Sequence, residues 1–382
     1  MELEIERILP GGMGLAHAGG KTVFVALAAP GDRVRVEVER EQGNVLFASI
    51  KEIITPSPVR IEPPCPYFGR CGGCDFQQLT YEAQLAAKSE MIRDCLHRIA
   101  RLDNLPDIVV TPSPNEWRYR MRATWQIDRE QRSVGYYERG SRRVCDVADC
   151  AVLRPELQSK LEEVRATEWY EFPPHLKHLD VVAGEHGVSF APPFAEFRTS
   201  ELSLTVAQEV YQYNAEAFFQ INPSLLSPLI EFAIGDAAGE SALDLYSGVG
   251  LFTLPLSRRF KNVVAVEANP AAARFARRNL QRAGLTNTRV VAATVTDWIR
   301  NAWAERTDFI LLDPPRAGAE SAVIKGMLDL RPPHISYVSC DPATLARDLK
   351  KLIAGGYAIN SIAGFDLFPQ THHVETVVRL YR

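Results

Sequence analysis

The sequence lacks several features that would assign it to a familiar class. None of its apolar runs approaches the roughly 20 residues that a membrane-spanning helix needs. Its first seven residues alternate acidic and apolar side chains, so we expect neither a secretory signal nor a transit peptide. The formal net charge of −4 provides no general excess of basic residues for nucleic acid. We therefore expect a cytoplasmic protein that binds no membrane.

Cysteine is scarce and odd in number. Seven cysteines without an export signal argue against a disulfide framework and for metal ligation or catalysis. Cys65, Cys71 and Cys74 form a C-x5-C-x2-C cluster whose glycines let the backbone fold around a bound centre. Thiolates at this density favour zinc or an iron–sulfur cluster, and the spacing differs from the C-x3-C-x2-C of radical enzymes. Cys145 and Cys150 are both candidates for a fourth ligand.

The chain of 382 residues is long enough for two or three domains. Residues 1–54 contain short alternating runs separated by Gly, Pro and Asp turns, a pattern typical of an OB-like β-barrel. A proline-rich link follows, and residues 81–101 predict one amphipathic helix, which could pack on the C-terminal domain and would bury Cys95. Residues 181–190 predict a hairpin.

Residues 117–143 are rich in arginine and aromatic side chains. Eight arginines stand against three acids in this segment, and five aromatic residues lie among them: Trp117, Tyr119, Trp125, Tyr136 and Tyr137. Guanidinium groups bind phosphate and aromatic rings stack on unpaired bases, so this composition favours an RNA-binding surface. Alternation at 118–122 predicts that three arginines lie on one face of a strand.

After residue 218 the pattern becomes regular α/β. Apolar segments at 242–246, 263–267, 309–312 and 335–339 alternate with helices, which predicts a parallel, doubly wound sheet with a ligand at the carboxyl ends of its strands. The Ser-Gly-Val-Gly turn at 247–250 is not the dinucleotide fingerprint G-x-G-x-x-G. Gly248 and Gly250 would let a nucleotide-like ligand approach the backbone, Glu267 is placed for ribose hydroxyls, and Asp313 begins an Asp-Pro-Pro segment. Together these features favour S-adenosylmethionine.

Cys340 lies where a buried strand stops and a helix begins. Asp341 can cap that helix, and Pro342 suits its first turn. The positive end of the helix dipole would lower the pKa of the thiol. We therefore predict that Cys340 is reactive.

These motifs resemble those of the RNA uracil-5-methyltransferases, the family that makes 5-methyluridine in ribosomal and transfer RNA. The resemblance covers nearly the whole chain. It includes the leading β-domain, the cysteine cluster of the iron–sulfur members, and four segments: Phe-Phe-Gln-Ile-Asn at 218–222, Asp-Leu-Tyr-Ser-Gly-Val-Gly at 244–250, Ser-Cys-Asp-Pro-Ala-Thr at 339–344 and Phe-Pro-Gln-Thr-His-His-Val-Glu at 368–375. The last two segments are the most specific.

The resemblance implies a multi-domain α/β protein. Residues 1–54 would form an OB-like TRAM domain that binds RNA. Residues 55–210 would form a central α+β domain with the iron–sulfur cluster and the arginine- and aromatic-rich RNA surface. Residues 211–382 would form a Rossmann-like class I S-adenosylmethionine-dependent methyltransferase domain. We expect the protein to be a monomer.

The resemblance also assigns roles to residues. Cys340 would be the nucleophile and Glu375 the general base. The side chains expected to contact S-adenosylmethionine are Gln220, Tyr246, Glu267 and Asp313, with Gly248 and Gly250 in the turn. The [4Fe-4S] ligands would be Cys65, Cys71, Cys74 and Cys150. Cys150 is preferred to Cys145 because the fourth cysteine of the family directly precedes a segment like residues 151–153.

The implied reaction is methyl transfer from S-adenosylmethionine to C5 of a specific uridine, in 23S rRNA by preference and in tRNA as the alternative. A 5-methylcytosine RNA methyltransferase would carry a second cysteine beside the Asp-Pro motif, where this chain has Arg316. An amino-group methyltransferase would carry an aromatic residue there. A protein of another class, an iron–sulfur module for RNA binding or redox sensing with an inactive methyltransferase domain, is the remaining alternative.

Overall fold

The computed structural model describes residues 1–301 and 307–382. Its first part is a six-stranded sheet in the order β1-β5-β6-β4-β3-β2. The strands are β1 Glu2–Glu4, β2 Arg7–Ile8, β3 Gly14–Ala18, β4 Lys21–Val25, β5 Arg33–Gln42 and β6 Val45–Thr55. Alternating apolar side chains such as Val23, Val25 and Val34 point inward and form a small separate core. The predicted all-β unit at the start of the chain is confirmed.

The next element is a helix that joins the cysteine segment to the C-terminal part of the molecule. Helix α1 spans Tyr81–Cys95 and continues as a π-helical turn, Leu96–Ala100, which ends at Arg101 in a left-handed conformation. Thr80 caps its first turn by accepting from the Ala83 N–H. The helix that the sequence predicted at 81–101 is therefore confirmed. Ile92 and Leu96 pack in the C-terminal core, and strand β7, Val109–Thr111, extends the C-terminal sheet.

The central part contains a five-stranded antiparallel sheet in the order β10-β9-β8-β11-β12. Its elements, with the helix that covers it and a separate two-stranded hairpin, are β8 Arg122–Asp128, β9 Ser133–Tyr137, β10 Val144–Asp146, α2 Pro155–Ala166, β11 His178–Ala183, β12 Val188–Ala191, β13 Leu202–Val206 and β14 Glu209–Tyr213. Leu157, Leu161 and Val164 of α2 pack in the core under the sheet. The hairpin predicted at 181–190 is formed by β11 and β12.

The prediction of three arginines on one face of a strand is wrong. Residues 118–121 precede β8, Arg118 has a φ of 54°, and the partly buried Arg122 donates to the carbonyl oxygens of Ala215 (3.0 Å) and Ala217 (2.8 Å). The three arginines therefore have different positions and contacts and do not form one row on a strand face.

Two of the five aromatic side chains of the same segment are buried, and Trp117 and Tyr136 are half-buried. Trp125 is fully buried on the inward face of β8, and Tyr119 is buried with its hydroxyl donating to the Pro369 carbonyl oxygen at 2.9 Å. Only Tyr137 among the five is exposed, at 44%. Large apolar rings gain more from burial than from solvent contact, and inward positions of the sheet were available for them. Burial therefore removes two of the five rings from the expected stacking surface.

The C-terminal part is a doubly wound sheet of eight strands, in the order β17-β16-β15-β18-β19-β21-β20-β7. Its elements, after a 3-10 turn at Pro223–Leu225, are α3 Leu226–Ile234, β15 Gly239–Leu245, α4 Thr253–Ser257, β16 Phe260–Glu267, α5 Pro270–Arg282, β17 Thr288–Ala292, α6 Val295–Asn301, β18 Phe309–Leu312, α7 Ser321–Leu330, β19 His334–Ser339, α8 Pro342–Ala354, β20 Ala358–Phe365 and β21 Glu375–Tyr381. Strands β15 to β19 are mutually parallel, as predicted. None of the helices in the described ranges is long and apolar enough to cross a membrane.

The direction of β21 brings a late part of the chain to the ligand-binding edge. Strand β21 is antiparallel to β19, with Ser339 opposite Thr376. The amino end of β21 therefore lies beside the carboxyl end of β19. Ligands of doubly wound sheets bind at the carboxyl ends of the parallel strands, where the strand order reverses. Glu375 and Cys340 consequently meet at that edge.

Candidate active site

A cavity of about 670 Å³ lies at the carboxyl edge of the C-terminal sheet. It is bordered by seven of the residues predicted from the sequence: Gln220, Tyr246, Gly248, Glu267, Asp313, Cys340 and Glu375. Strand β8 and the segment before it contribute further lining residues, which include Arg122 and Arg120. The cavity thus combines the expected cofactor-binding and reactive side chains in one space.

Gly250, the eighth predicted residue, does not border the cavity. It has a φ of 96°, and a Cβ atom there would lie 3.1 Å from Leu254 Cδ1. Its amide donates to the Ser247 carbonyl oxygen at 2.9 Å. Glycine is therefore required to close the turn between β15 and α4, and its effect on a ligand is indirect.

The turn after β15 fixes the carboxylate of Glu267. Oε2 of Glu267 accepts from the Gly248 N–H (2.8 Å), and Oε1 accepts from the Asn269 N–H (2.6 Å). Tyr246, with a φ of 64°, directs its hydroxyl to the carboxylate of Glu320 at the start of α7. These contacts orient two of the predicted ligand-binding side chains.

Asp313 is a half-buried acid at the end of β18. Burial raises its pKa to about 7, although the Gln220 amide opposes the shift by donating to Oδ2 at 3.3 Å. The pair places an amide and a carboxyl group of nearly neutral pKa on the cavity wall. Such a perturbed acid is typical of a functional site.

Cys340 occupies the predicted junction between β19 and α8. Asp341 accepts from the N–H groups of Ala343 and Thr344, both at 2.9 Å, so the predicted cap is confirmed. The predicted lowering of the thiol pKa is wrong, because burial and then the charges of Glu375 and Asp313 raise the pKa of Cys340 to about 12. Arg316 opposes this shift. Desolvation and two neighbouring acids outweigh a helix dipole that is already partly compensated by its acidic cap.

Glu375 begins β21 and is buried. Its Oε1 atom has no hydrogen-bond partner within the described part of the chain. Burial and the charge of Asp313 raise the pKa of Glu375 well above its ordinary value, with Arg316 opposing. In its ionised form, such a carboxylate beside a cavity can accept a proton from a bound molecule, and a raised pKa makes it a stronger base.

A second cavity of about 290 Å³ lies next to the first and shares Cys340 and Arg316 with it. Pro10 and Gly11, in the turn between β2 and β3, border this cavity together with His372 and His373. The N-terminal unit therefore reaches the neighbourhood of the thiol, a contact that the sequence pattern did not indicate.

Four cysteines border a third, small cavity: Cys65, Cys71, Cys74 and Cys150. Cys145 is buried in β10 and is not among its lining residues. Burial raises the pKa values of Cys71 and Cys74 to about 12. Arg120, one of the three arginines at 118–122, borders both this cavity and the large one.

Comparison with known proteins identifies the family. Residues 194–382 match the family model described as tRNA (Uracil-5-)-methyltransferase, and residues 1–59 match the TRAM domain of tRNA (uracil(54)-C(5))-methyltransferase. The chain is 32% identical to the 23S rRNA (uracil(1939)-C(5))-methyltransferase RlmD of Vibrio parahaemolyticus, over 98% of this chain and 94% of the relative. The chain belongs to the RNA uracil-5-methyltransferase family. The methyltransferase is also 32% identical to an "Uncharacterized RNA methyltransferase" of Thermotoga maritima, over 100% and 99% of the two chains.

A solved structure agrees over the full length. The tRNA (uracil-54, C5)-methyltransferase of Pyrococcus abyssi, in complex with S-adenosyl-L-homocysteine, superposes with a TM-score of 0.77 at 25% identity and covers 99% of this chain and 100% of that one. This methyltransferase is thus an S-adenosylmethionine-dependent enzyme acting on uracil C5 in RNA, with a TRAM domain at its amino end. The predicted reaction class is confirmed. The cytosine, amino-group and inactive-module alternatives are set aside.

Proposed function

We propose that the methyltransferase uses Cys340 as nucleophile and Glu375 as general base on a uridine of 23S rRNA. The observation that carries this proposal is that both side chains border one cavity with the candidate cofactor-binding residues. Different elements carry these two side chains: Cys340 lies just before α8, and Glu375 lies at the start of β21.

The reaction requires a nucleophile because C5 of uracil does not take a methyl group unaided. The Cys340 thiolate adds to C6, which places the electron pair in an enolate across C4, C5 and O4. S-adenosylmethionine supplies the methyl group that C5 then accepts. Glu375 next takes the proton from C5, the C6–S bond breaks, and the thiolate of Cys340 is released. Arg316 is the positive side chain that favours the thiolate beside these acids.

The cofactor-binding roles follow from the same cavity. Glu267, whose two oxygens are already oriented by backbone N–H groups, suits the ribose hydroxyls. Gln220 and Asp313 provide further polar partners in the same cavity, and Tyr246 and Gly248 complete the set. The target base has to leave its stack to reach a half-buried thiol.

We infer that the third cavity holds a [4Fe-4S] cluster, because four cysteine side chains border it and such clusters are held by cysteine thiolates. No three His, Cys, Asp or Glu side chains in residues 1–301 and 307–382 are close enough together to hold a single metal ion. Cys65, Cys71, Cys74 and Cys150 would hold the cluster, and it would serve as a structural link between their segments.

Iron analysis tests this ligand set. Protein purified without oxygen should contain about four iron atoms per chain, the number in the cluster. Cys150→Ala should lose the iron and the visible absorbance, whereas the matched variant Cys145→Ala should retain both. Wild-type protein without iron, or equal loss in both variants, would contradict the assignment.

Ribosomal RNA is preferred as substrate because a curated relative at 32% identity carries a 23S rRNA name, whereas the tRNA enzyme superposes at 25% identity. Incubation with labelled S-adenosylmethionine and unmodified rRNA or tRNA in separate tubes, followed by mass spectrometry of nucleosides, decides between them. We expect labelled 5-methyluridine in the rRNA tube. Label only in tRNA would change the RNA class.

Two variants test the mechanism in the same assay. Cys340→Ala should bind RNA without methylating it. Glu375→Gln should accumulate a covalent complex with RNA that survives denaturation, because the C5 proton is not removed. Methylation by Cys340→Ala would overturn the proposed mechanism.

A further inference from the structure

The loop that carries Glu375 into the cavity is attached to the cysteine segment. This loop, residues 366–374, joins β20 to β21. The N–H groups of Asp75 and Phe76, which directly follow Cys74, both donate to the Gln370 carbonyl oxygen, at 3.1 and 3.0 Å. The chain between the cysteines and α1 therefore holds the loop in place through backbone hydrogen bonds.

A side-chain pair strengthens the attachment. Asp75 Oδ1 accepts from the His372 N–H at 2.8 Å, and Asp75 Oδ2 lies 2.5 Å from His372 Nδ1. One carboxylate thus fixes both the backbone and the ring of a residue three positions before Glu375. The turn at Gly12 covers the pair, since a Cβ atom there would lie 3.0 Å from His372 Cβ.

Helix α1 completes the support. The Gln370 N–H donates to Gln84 Oε1, and Gln84 Nε2 donates to Gln370 Oε1, both at 3.0 Å. Gln370 has a φ of 68°, a left-handed conformation that a residue other than glycine adopts only when its surroundings enforce it. The path of the loop is therefore imposed by contacts with residues 75, 76 and 84.

Glu375 depends on this loop more than Cys340 does. Its Oε1 atom has no hydrogen-bond partner among the described residues, so the backbone at the start of β21 has to aim the carboxyl group. Cys340 is held instead by β19 and by the Asp341 cap of α8. A change in the loop should consequently disturb proton removal more than thiol attack.

We propose that Asp75 is a positioning residue for Glu375 that acts through His372, so that the cysteine segment controls the step that resolves the covalent intermediate. This inference rests on the proposed roles of Cys340 and Glu375. It gives the cysteine segment a function in the reaction without any electron transfer.

Single-turnover experiments with RNA and S-adenosylmethionine test the proposal. Two rates are measured, the formation of the denaturation-resistant protein–RNA complex and its decay to 5-methyluridine. In Asp75→Ala and His372→Ala we expect nearly wild-type formation and decay about tenfold to a hundredfold slower, the size of effect that misplacement of a catalytic group produces. Asp75→Asn keeps an acceptor for the His372 N–H and should lie between these variants and the wild type.

Glu138→Gln is the matched control. Glu138 pairs with Arg70 and Arg143 beside the cysteines, and its hydrogen bonds do not reach residues 366–374. The covalent complex of this variant should decay at the wild-type rate. Iron content is measured for every variant. If Asp75→Ala loses iron, the decay rate of His372→Ala tests the proposal instead, because His372 lies outside the cysteine segment.

Two results would overturn the proposal. The first is a covalent complex of His372→Ala that decays at the wild-type rate. The second is equal slowing of complex formation and complex decay in both Asp75→Ala and His372→Ala. A failure of the proposed mechanism is distinguishable, since the wild type and Glu375→Gln would then form no covalent complex.

Discussion

Burial around the reaction cavity suppresses charge on its ionisable side chains. The pKa of Cys340 is raised to about 12, that of Asp313 to about 7, and that of Glu375 well above its ordinary value. The thiol is therefore protonated in the free enzyme at neutral pH. Formation of the thiolate therefore requires the local charges to change in the complex with the substrates.

Alkylation of Cys340 measures this suppression. Without RNA, its reaction with iodoacetamide should rise with pH to well beyond 9, because only the thiolate reacts. Glu375→Gln should move the midpoint to lower pH, since a neutral amide no longer opposes the thiolate. Peptide mass spectrometry isolates Cys340 from the other cysteines, and Glu138→Gln serves as the control. An unchanged midpoint in Glu375→Gln would contradict the assigned cause.

Asp244 makes stability depend on pH. It is fully buried at the end of β15, Oδ1 has no partner in the described structure, and Oδ2 accepts from the Thr253 hydroxyl. Burial raises its pKa to about 7 despite that hydrogen bond, so the protonated acid stabilises the fold below about pH 4, and this contribution is lost as pH rises through about 7. Asp244→Asn should flatten the fall in denaturation midpoint between pH 4 and 8. A slope equal to that of the wild type would contradict the assignment.

At the scale of elements, α8 holds the nucleophile through its first turn. Asp341→Ala removes two hydrogen bonds and should lower the free energy of unfolding by about 1 kcal/mol. It should also slow formation of the covalent complex, because Cys340 immediately precedes the cap. Asp341→Asn, which still caps, should retain both properties. Denaturant titration and single-turnover kinetics provide the two measurements, and equal behaviour of the Ala and Asn variants would contradict this role.

Helices and strands with local sequence signals were predictable. Which of their side chains are buried, and which residues they contact, was harder to predict. The cap, the proline and the helical spacing of α8 all lie within a few residues of one another. The orientation of Trp125 and Tyr119 depends on which sheet face meets α2 and the loop before β21, information that no short segment contains. The contact between Asp75 and His372 joins positions 297 residues apart, and neither residue carries a local signal for it. The pKa of Cys340 was mispredicted for the same reason, since its neighbouring acids come from other strands.

At the scale of the whole molecule, one buried ion pair joins α1 to the loop that precedes Glu375. Lys88 Nζ lies 2.5 Å from Asp366 Oδ1 and also donates to the Phe368 carbonyl oxygen at 3.1 Å, and both side chains of the pair are 0% exposed. Burial lowers the pKa of Lys88, although Asp366 opposes the shift. The attraction is thus partly offset by desolvation, and loss of one partner alone would leave an uncompensated buried charge.

Removing one partner should therefore cost more than removing both charges. Lys88→Met leaves a buried carboxylate and should lower the free energy of unfolding by about 3–5 kcal/mol, whereas Lys88→Met with Asp366→Asn should recover much of that loss. Lys261→Met is the control, because its pair with Glu240 is 71% and 70% exposed and should contribute at most about 1 kcal/mol. Denaturant unfolding of the four proteins provides the comparison. A double variant as unstable as Lys88→Met would show that the lysine contributes through packing, and that the link between α1 and the catalytic loop is not electrostatic.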